Sequence, residues 1–174
     1  MKQTLIMLSL ATGFFQSCNS QNKHLGVGDP VPVFSLHDQQ DSLFHLSDYL
    51  GKKVLVIYFY PKDESLVCTK EACSFRDNYA EFTKSGALVI GINAGSVESH
   101  RKFQENHQLP FILLSDPGDQ VSRMFGVKGK FFLPGRETFV VDKSGKIVFR
   151  YSSFTNGPKH EQETLNFVKK MHPE

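Results

Sequence analysis

The chain has 174 residues, 40% of them hydrophobic, which suits one domain with a proper buried core. A formal net charge of +2 gives no reason to expect nucleic acid or an acidic surface as partner. Three cysteines make an odd count, so no single pairing accounts for all of them.

Residues 1–17 read as a segment outside the fold. Lys2 supplies a positive start and residues 5–15 a short apolar run, too short to span a bilayer comfortably. Phe15-Gln16-Ser17-Cys18, followed by the polar residues 19–23, resembles a bacterial lipoprotein signal in which Cys18 becomes the lipid-modified first residue. On that reading the protein is exported to the periplasmic side and anchored to a membrane through lipidated Cys18. Residues 18–26 then form a tether and residues 27–174 the folded domain. An ordinary secretory signal, with Cys18 an incidental thiol, is the alternative, and a cytosolic N-terminal helix is the third reading.

Residues 31–46 read as two short extended pieces around the polar turn at 37–42, and Asp48-Tyr49-Leu50-Gly51 as a one-turn connector. Residues 54–60, rich in β-branched and aromatic side chains, predict one buried strand. Pro61 stops it, having no N–H to give a ladder. Cys68, Ala72, Phe75, Tyr79 and Phe82 then recur at steps of four and three, the stripe of a single amphipathic helix. Residues 87–92 predict a second buried strand after Gly86. Ser96 is a helix cap, with Glu98 in the first turn of a helix running to about His107. A third strand at 111–114, a turn at 116–119 and a short helix at 121–125 follow. Residues 138–141 and 147–151 form a hairpin, and Asn156-Gly157-Pro158 opens a last helix carrying Leu165, Val168 and Met171. This order fits an α/β, thioredoxin-like fold, a mixed central β-sheet flanked by helices on both faces.

Cys68 thus falls at or near the first turn of a helix that leaves the end of a buried strand. Unpaired N–H groups and the positive end of the helix dipole stabilise an anion there, favouring the nucleophilic thiolate. The bland alternative is an inert cysteine packed as a small hydrophobe. Ser65 either caps the helix or aims its hydroxyl into the same volume. Cys73 lies five residues on, about 7.5 Å of rise and roughly 140° of rotation on an ideal helix. The Cα atoms would be about 8–9 Å apart, beyond the roughly 7 Å reach of a disulfide. Pairing the two therefore requires the helix to unwind locally. Arg136, read alone, is a solvated loop arginine. His100, His107 and His160 are not spaced like metal ligands relative to either cysteine and read as surface or capping residues, so no metal is expected.

Pro61-x-x-x-Ser65-x-x-Cys68 resembles the active-site signature of the peroxiredoxins, thiol peroxidases that need no metal, flavin or haem. The longer run Cys68-Thr69-Lys70-Glu71-Ala72-Cys73-Ser74-Phe75-Arg76-Asp77 resembles the bacterioferritin-comigratory, or Q-type, branch. Ser99-His100-Arg101-Lys102-Phe103, Leu109-Pro110-Phe111, Leu114-Ser115-Asp116, Phe125-Gly126-Val127 and residues 135–142 extend the resemblance over roughly 26–170. One departure stands out: the family usually has Thr-Pro-Gly before the cysteine, where this chain has Ser65-Leu66-Val67.

The resemblance implies that Cys68 is the peroxidatic cysteine and Cys73 the resolving one. It also implies that Pro61 shields the sulfur, that Ser65 hydrogen-bonds thiolate or peroxide, and that Arg136 reaches the sulfur. A hydroperoxide substrate, a thioredoxin-like dithiol reductant, no cofactor, a monomeric state and a part in antioxidant defence belong to the same expectation. Two rivals are weighed against it. An exported thiol–disulfide oxidoreductase would show Cys-x-x-Cys, whereas four residues separate these cysteines. A copper-binding thioredoxin-like module would want a histidine near both thiols and leaves Ser65 and Arg136 without a role.

Overall fold

The computed structural model describes residues 24–129 and 135–171, so the expectations for residues 1–17 and Cys18 lie outside the described residues. The elements in chain order are β1 (Ser35–Asp38), β2 (Leu43–His45), a 3-10 turn (Leu46–Asp48), β3 (Val54–Phe59), α1 (Leu66–Asp77), α2 (Tyr79–Lys84) and β4 (Ala87–Asn93). Then come α3 (Val97–His107), β5 (Ile112–Ser115), α4 (Gln120–Phe125), β6 (Glu137–Val141), β7 (Ile147–Ser152) and α5 (Gly157–Met171). The strands form one sheet in the order β2-β1-β5-β4-β3-β6-β7. β3, β4 and β5 run parallel, and β6 returns antiparallel against β3. This is the thioredoxin-like mixed sheet that the sequence predicts. Residues 24–26, the end of the expected tether, pack onto the domain: Leu25 N donates to Phe125 O at the end of α4 at 3.1 Å, and His24 Nε2 lies 3.0 Å from Glu137 Oε2 of β6.

β3 is buried along its whole length, which explains its unbroken apolar run. Because strand side chains alternate, Val54, Val56 and Tyr58 enter one core and Leu55, Ile57 and Phe59 the other. The first core is closed by Cys68, Ala72 and Phe75 of α1, Phe82 of α2, Phe103 of α3 and Leu165 and Val168 of α5. The second is closed by Val31, Phe34, Leu46 and the α4 residues Val121 and Phe125. Helices therefore flank both faces, but unevenly.

Aromatic stacking seats the last turn of α1. Phe75 lies 4.8 Å, centroid to centroid, over Tyr58, which in turn stacks on Tyr60. Such a pair contributes about 0.5–1.5 kcal/mol beyond its buried area. Tyr58 itself crosses β4 at Gly91, where any Cβ would come within 2.7 Å of the phenol ring. The single helix expected from the stripe at 68–82 is two: Asn78, at φ −108° and ψ 13°, ends α1 and opens α2. The apolar spacing continues across the break, which is why periodicity alone does not show it.

Candidate active site

β3 delivers the site and α1 shapes it. The ladder carries on to Tyr60, whose N–H donates to Ile92 O, and Pro61 ends it. Loop 61–65 then turns into α1, with Cys68 as the third helical residue. Ser65 occupies the backbone cap position, at φ −73° and ψ 142°, but its side chain caps nothing. Its hydroxyl donates instead to Lys62 O at 3.2 Å, so the capping role expected from sequence is not the one adopted. The helix start keeps its N–H groups free of a side-chain acceptor, on the same turn as the Cys68 thiol.

Cys68 is buried, and Arg136 stands beside it. Arg136 is no solvated loop residue: it is 4% exposed. Its Nη2 lies 3.0 Å from Cys68 Sγ, its Nη1 is bound to Glu71 Oε2, and its Nε donates to Phe154 O at 3.3 Å. Glu71 is fully buried one helical turn after Cys68, so sulfur and carboxylate share the face of α1 that meets the guanidinium. Glu71 lies within the motif run, and its i, i+3 spacing from Cys68 is the signal that could have assigned it a place.

Two histidines correct the sequence reading. His100 and His160 are both completely buried. His160 places Nδ1 2.8 Å from Thr138 Oγ1 and 3.6 Å from Glu71 Oε1, while Nε2 meets the backbone of Ser153. Burial lowers its pKa to about 4, with the Arg136 charge acting in the same direction and the Ser153 backbone opposing. His100 Nδ1 meets Asp63 Oδ2 at 2.8 Å, and Nε2 meets Leu114 O. The apolar periodicity of their helices carries no sign of this, because a histidine reads as polar wherever it sits. His107 is nearer the expectation, in the last turn of α3 with Nε2 2.9 Å from Glu64 Oε2.

Asp63 gathers the loop before α1. Its carboxylate accepts from Tyr60 Oη at 2.7 Å, Asn93 Nδ2 at 2.9 Å and Ser99 Oγ at 2.6 Å, besides meeting His100. Burial alone would raise its pKa, but the bonds to His100, Ser99 and Tyr60 outweigh burial and hold it below the ordinary value. The sequence offers no local sign of this hub, since its members come from β3, β4, the loop and α3.

Cys73 is half-buried and is a free thiol like Cys68. Both lie within the continuous helix α1, so the structure does not bring them together in a bond. No group of three or more His, Cys, Asp or Glu side chains placed to hold a metal occurs among the described residues.

The AhpC/TSA family model matches residues 27–150. Peroxiredoxin Q, chloroplastic, from Sedum lineare is 46% identical over 146 residues, 83% of this chain and 78% of that protein. The Arabidopsis thaliana protein of the same name is 46% identical over 144 residues, 82% of this chain and 66% of that one. Among solved structures, peroxidoxin BcpB from Mycobacterium tuberculosis superposes with a TM-score of 0.80 at 35% identity, covering 86% of this chain and 99% of that one. These relatives overturn one expectation. The curated proteins of Sedum, Oryza and Arabidopsis are chloroplastic, not periplasmic lipoproteins, so the exported, lipid-anchored localisation is withdrawn. It rested on a short apolar run and one cysteine, a pattern that does not discriminate between targeting routes. Among the described residues no helix is long and apolar enough to cross a membrane.

Proposed function

The chain belongs to the AhpC/TSA family as a peroxiredoxin, a thiol peroxidase of the oxidoreductase class, and from that premise we propose that Cys68 is its peroxidatic cysteine. The observation that carries the assignment is the 3.0 Å approach of Arg136 Nη2 to Cys68 Sγ. A guanidinium at that distance can give a thiolate sulfur a charge-assisted hydrogen bond. That thiolate attacks the terminal oxygen of hydrogen peroxide or an alkyl hydroperoxide. The S–O bond forms as the O–O bond breaks, the leaving oxygen takes a proton to become water or an alcohol, and Cys68 becomes a sulfenic acid. Negative charge moves from sulfur to the leaving oxygen, and Arg136, held by Glu71, is placed to stabilise both ends of that displacement. Ser65 turns its hydroxyl from Lys62 O toward the peroxide, and Pro61 keeps the loop folded over the sulfur.

Local unwinding of α1 then lets the Cys73 thiol condense with the sulfenic acid, releasing water and forming a Cys68–Cys73 disulfide. A thioredoxin-like dithiol restores both thiols by exchange and leaves oxidised itself. The cycle uses no metal or organic cofactor, and since both cysteines lie in the domain at 27–174 a monomer suffices for it. In cells this activity serves antioxidant defence. Cys68→Ser should abolish dithiol-supported peroxide consumption. Cys73→Ser should still consume one equivalent of peroxide but lose recycling. Undiminished turnover by Cys68→Ser would rule the assignment out.

A further inference from the structure

The peroxide step leaves one buried acid packed against α1 unused. Glu161 of α5 is 4% exposed, and its Oε2 accepts from Ser74 Oγ at 2.9 Å. Its Oε1 is buried with no hydrogen-bond partner. A buried carboxyl with one oxygen unsatisfied is costly in either protonation state, and release to water would relieve that cost. An open groove of about 470 Å³ runs alongside, lined by Ser74, Asn78, Asn156, Lys159, Glu161 and Gln162. It brings water to Glu161 as soon as the contact with Ser74 parts.

We propose that the Ser74–Glu161 contact is a latch on the resolving turn of α1, with Glu161 a positioning residue that holds Cys73 in the helix until its carboxyl is released to water. The proposal rests on the Cys68–Cys73 cycle above, in which the two thiols cannot meet while α1 is intact. The helix is held at several points, and they are not equivalent. Gly157 packs so closely under the first turns that a Cβ there would meet Val67 O at 2.6 Å and Glu71 Cβ at 2.9 Å. Arg136 holds Glu71 on the same side. Both points support the Cys68 site, and moving them would dismantle it. Arg76 pins the far end of α1 through Nη1 to His107 O at 2.8 Å. Ser74, adjacent to Cys73 and half-buried at the groove, lies between these anchors. Freeing it loosens the turn around Cys73, leaving the Phe75 stack on Tyr58 as its remaining hold, while Cys68, Glu71 and Arg136 stay in place.

The charges around Glu161 give the latch a direction with pH. Burial raises its carboxyl pKa above the ordinary value, the Ser74 hydrogen bond and Lys169 lower it, and Asp77 on α1 raises it. Lys169 is itself paired with Glu81 of α2 at 2.7 Å, and Lys159 stands on the groove wall. Proton binding therefore favours the latched form, whereas the released carboxyl faces water and titrates in the ordinary range. The latch is tightest at and below that range and loosens as pH rises through the raised value.

Hydrogen exchange of the α1 amides in the full reduced chain reads the latch without any peroxide chemistry. Ser74→Ala should exchange about fivefold faster around Cys73, with α3 unchanged as the internal control. Glu161→Gln, which keeps an acceptor for Ser74 but cannot ionise, should protect the turn and remove the loosening at higher pH. Acid-quench mass spectrometry after one equivalent of hydrogen peroxide then follows the two chemical steps separately. Ser74→Ala should form the Cys68–Cys73 disulfide about fivefold faster with the rate of Cys68 oxidation unchanged. Exchange within twofold of wild type in Ser74→Ala, or acceleration spread equally over α3, would overturn the latch. Absence of the disulfide in wild type would instead defeat the two-cysteine cycle, whatever the exchange shows.

Discussion

Two buried carboxylates flank the turn into α1, and they are satisfied very differently. Asp63 has both oxygens filled, with Tyr60 and Asn93 on Oδ1 and Ser99 and His100 on Oδ2. Glu71 has Oε2 on Arg136 and Oε1 without a partner, although His160 Nδ1 is only 3.6 Å away. A saturated anion drawing donors from several elements is a fixed post, and Asp63 holds loop 61–65 against β4 and α3. A single-point contact to Arg136 does something else: it steadies the guanidinium through Nη1 and leaves Nη2 for the sulfur. Of the three buried side-chain atoms left unsatisfied among the described residues, two, on Glu71 and Glu161, sit on or against α1. The unpaired groups gather at the helix that the proposed cycle would rearrange.

The contrast is broken most directly by removing each carboxylate's function in turn. Asp63→Ala strands four donors in the interior and should cost about 3–5 kcal/mol in urea unfolding. The folded fraction should still oxidise Cys68 at nearly the wild-type rate. The contribution of Asp63 is present above the ordinary aspartate pKa and is lost as pH falls through its lowered folded value. Arg136→Ala should do the reverse, slowing Cys68 oxidation by about 100- to 1,000-fold in stopped-flow peroxide assays. Equal rates for Arg136→Ala and wild type would show that the unsaturated side of the comparison plays no part in the chemistry.

His160 sharpens the same contrast through pH. Its folded pKa of about 4 lies below the ordinary 6.5, so between these values the unfolded chain binds a proton that the folded one refuses. Stability should therefore fall as pH drops from 6.5 to about 4, by roughly 3 kcal/mol in all, and level off below. His160→Gln should flatten that window in denaturation curves taken across it. The smallest effect belongs to Leu66→Pro. Leu66 is the first residue of α1, where proline is accepted, and Ser65 already has the extended backbone that precedes a proline. A gain of about 0.5 kcal/mol is expected, and a loss of stability would show that the Leu66-Val67 start differs in backbone from a Pro-Gly one.

The parts of the molecule legible in sequence are those written in local patterns. The unbroken run at 54–60 marks the central strand, the Cys68 stripe marks the buried face of α1, and Ser96 caps α3 by accepting from Ser99 N as expected. Periodicity failed at Asn78, where the apolar spacing runs on through a break in the backbone. It failed for His100, His160 and Glu71 for a different reason. Their burial is set by partners outside their own helices, such as Leu114, Thr138 and Arg136, and the one local sign is the i, i+3 spacing of Glu71 from Cys68. Ser65 was found as a cap position, but which oxygen its hydroxyl chooses depends on the fold of loop 61–65. Arg136 could be placed near the sulfur only through family resemblance, since its own neighbourhood reads as an exposed loop.

The most direct test of the account is a mass measurement on the reduced full chain after one equivalent of hydrogen peroxide, with a non-reducing peptide map. The account predicts loss of about two mass units and a peptide in which Cys68 is joined to Cys73, with Cys18 still free. Retention of all three thiols, or oxidation of Cys68 with no link to Cys73 under conditions that exhaust the peroxide, would contradict it.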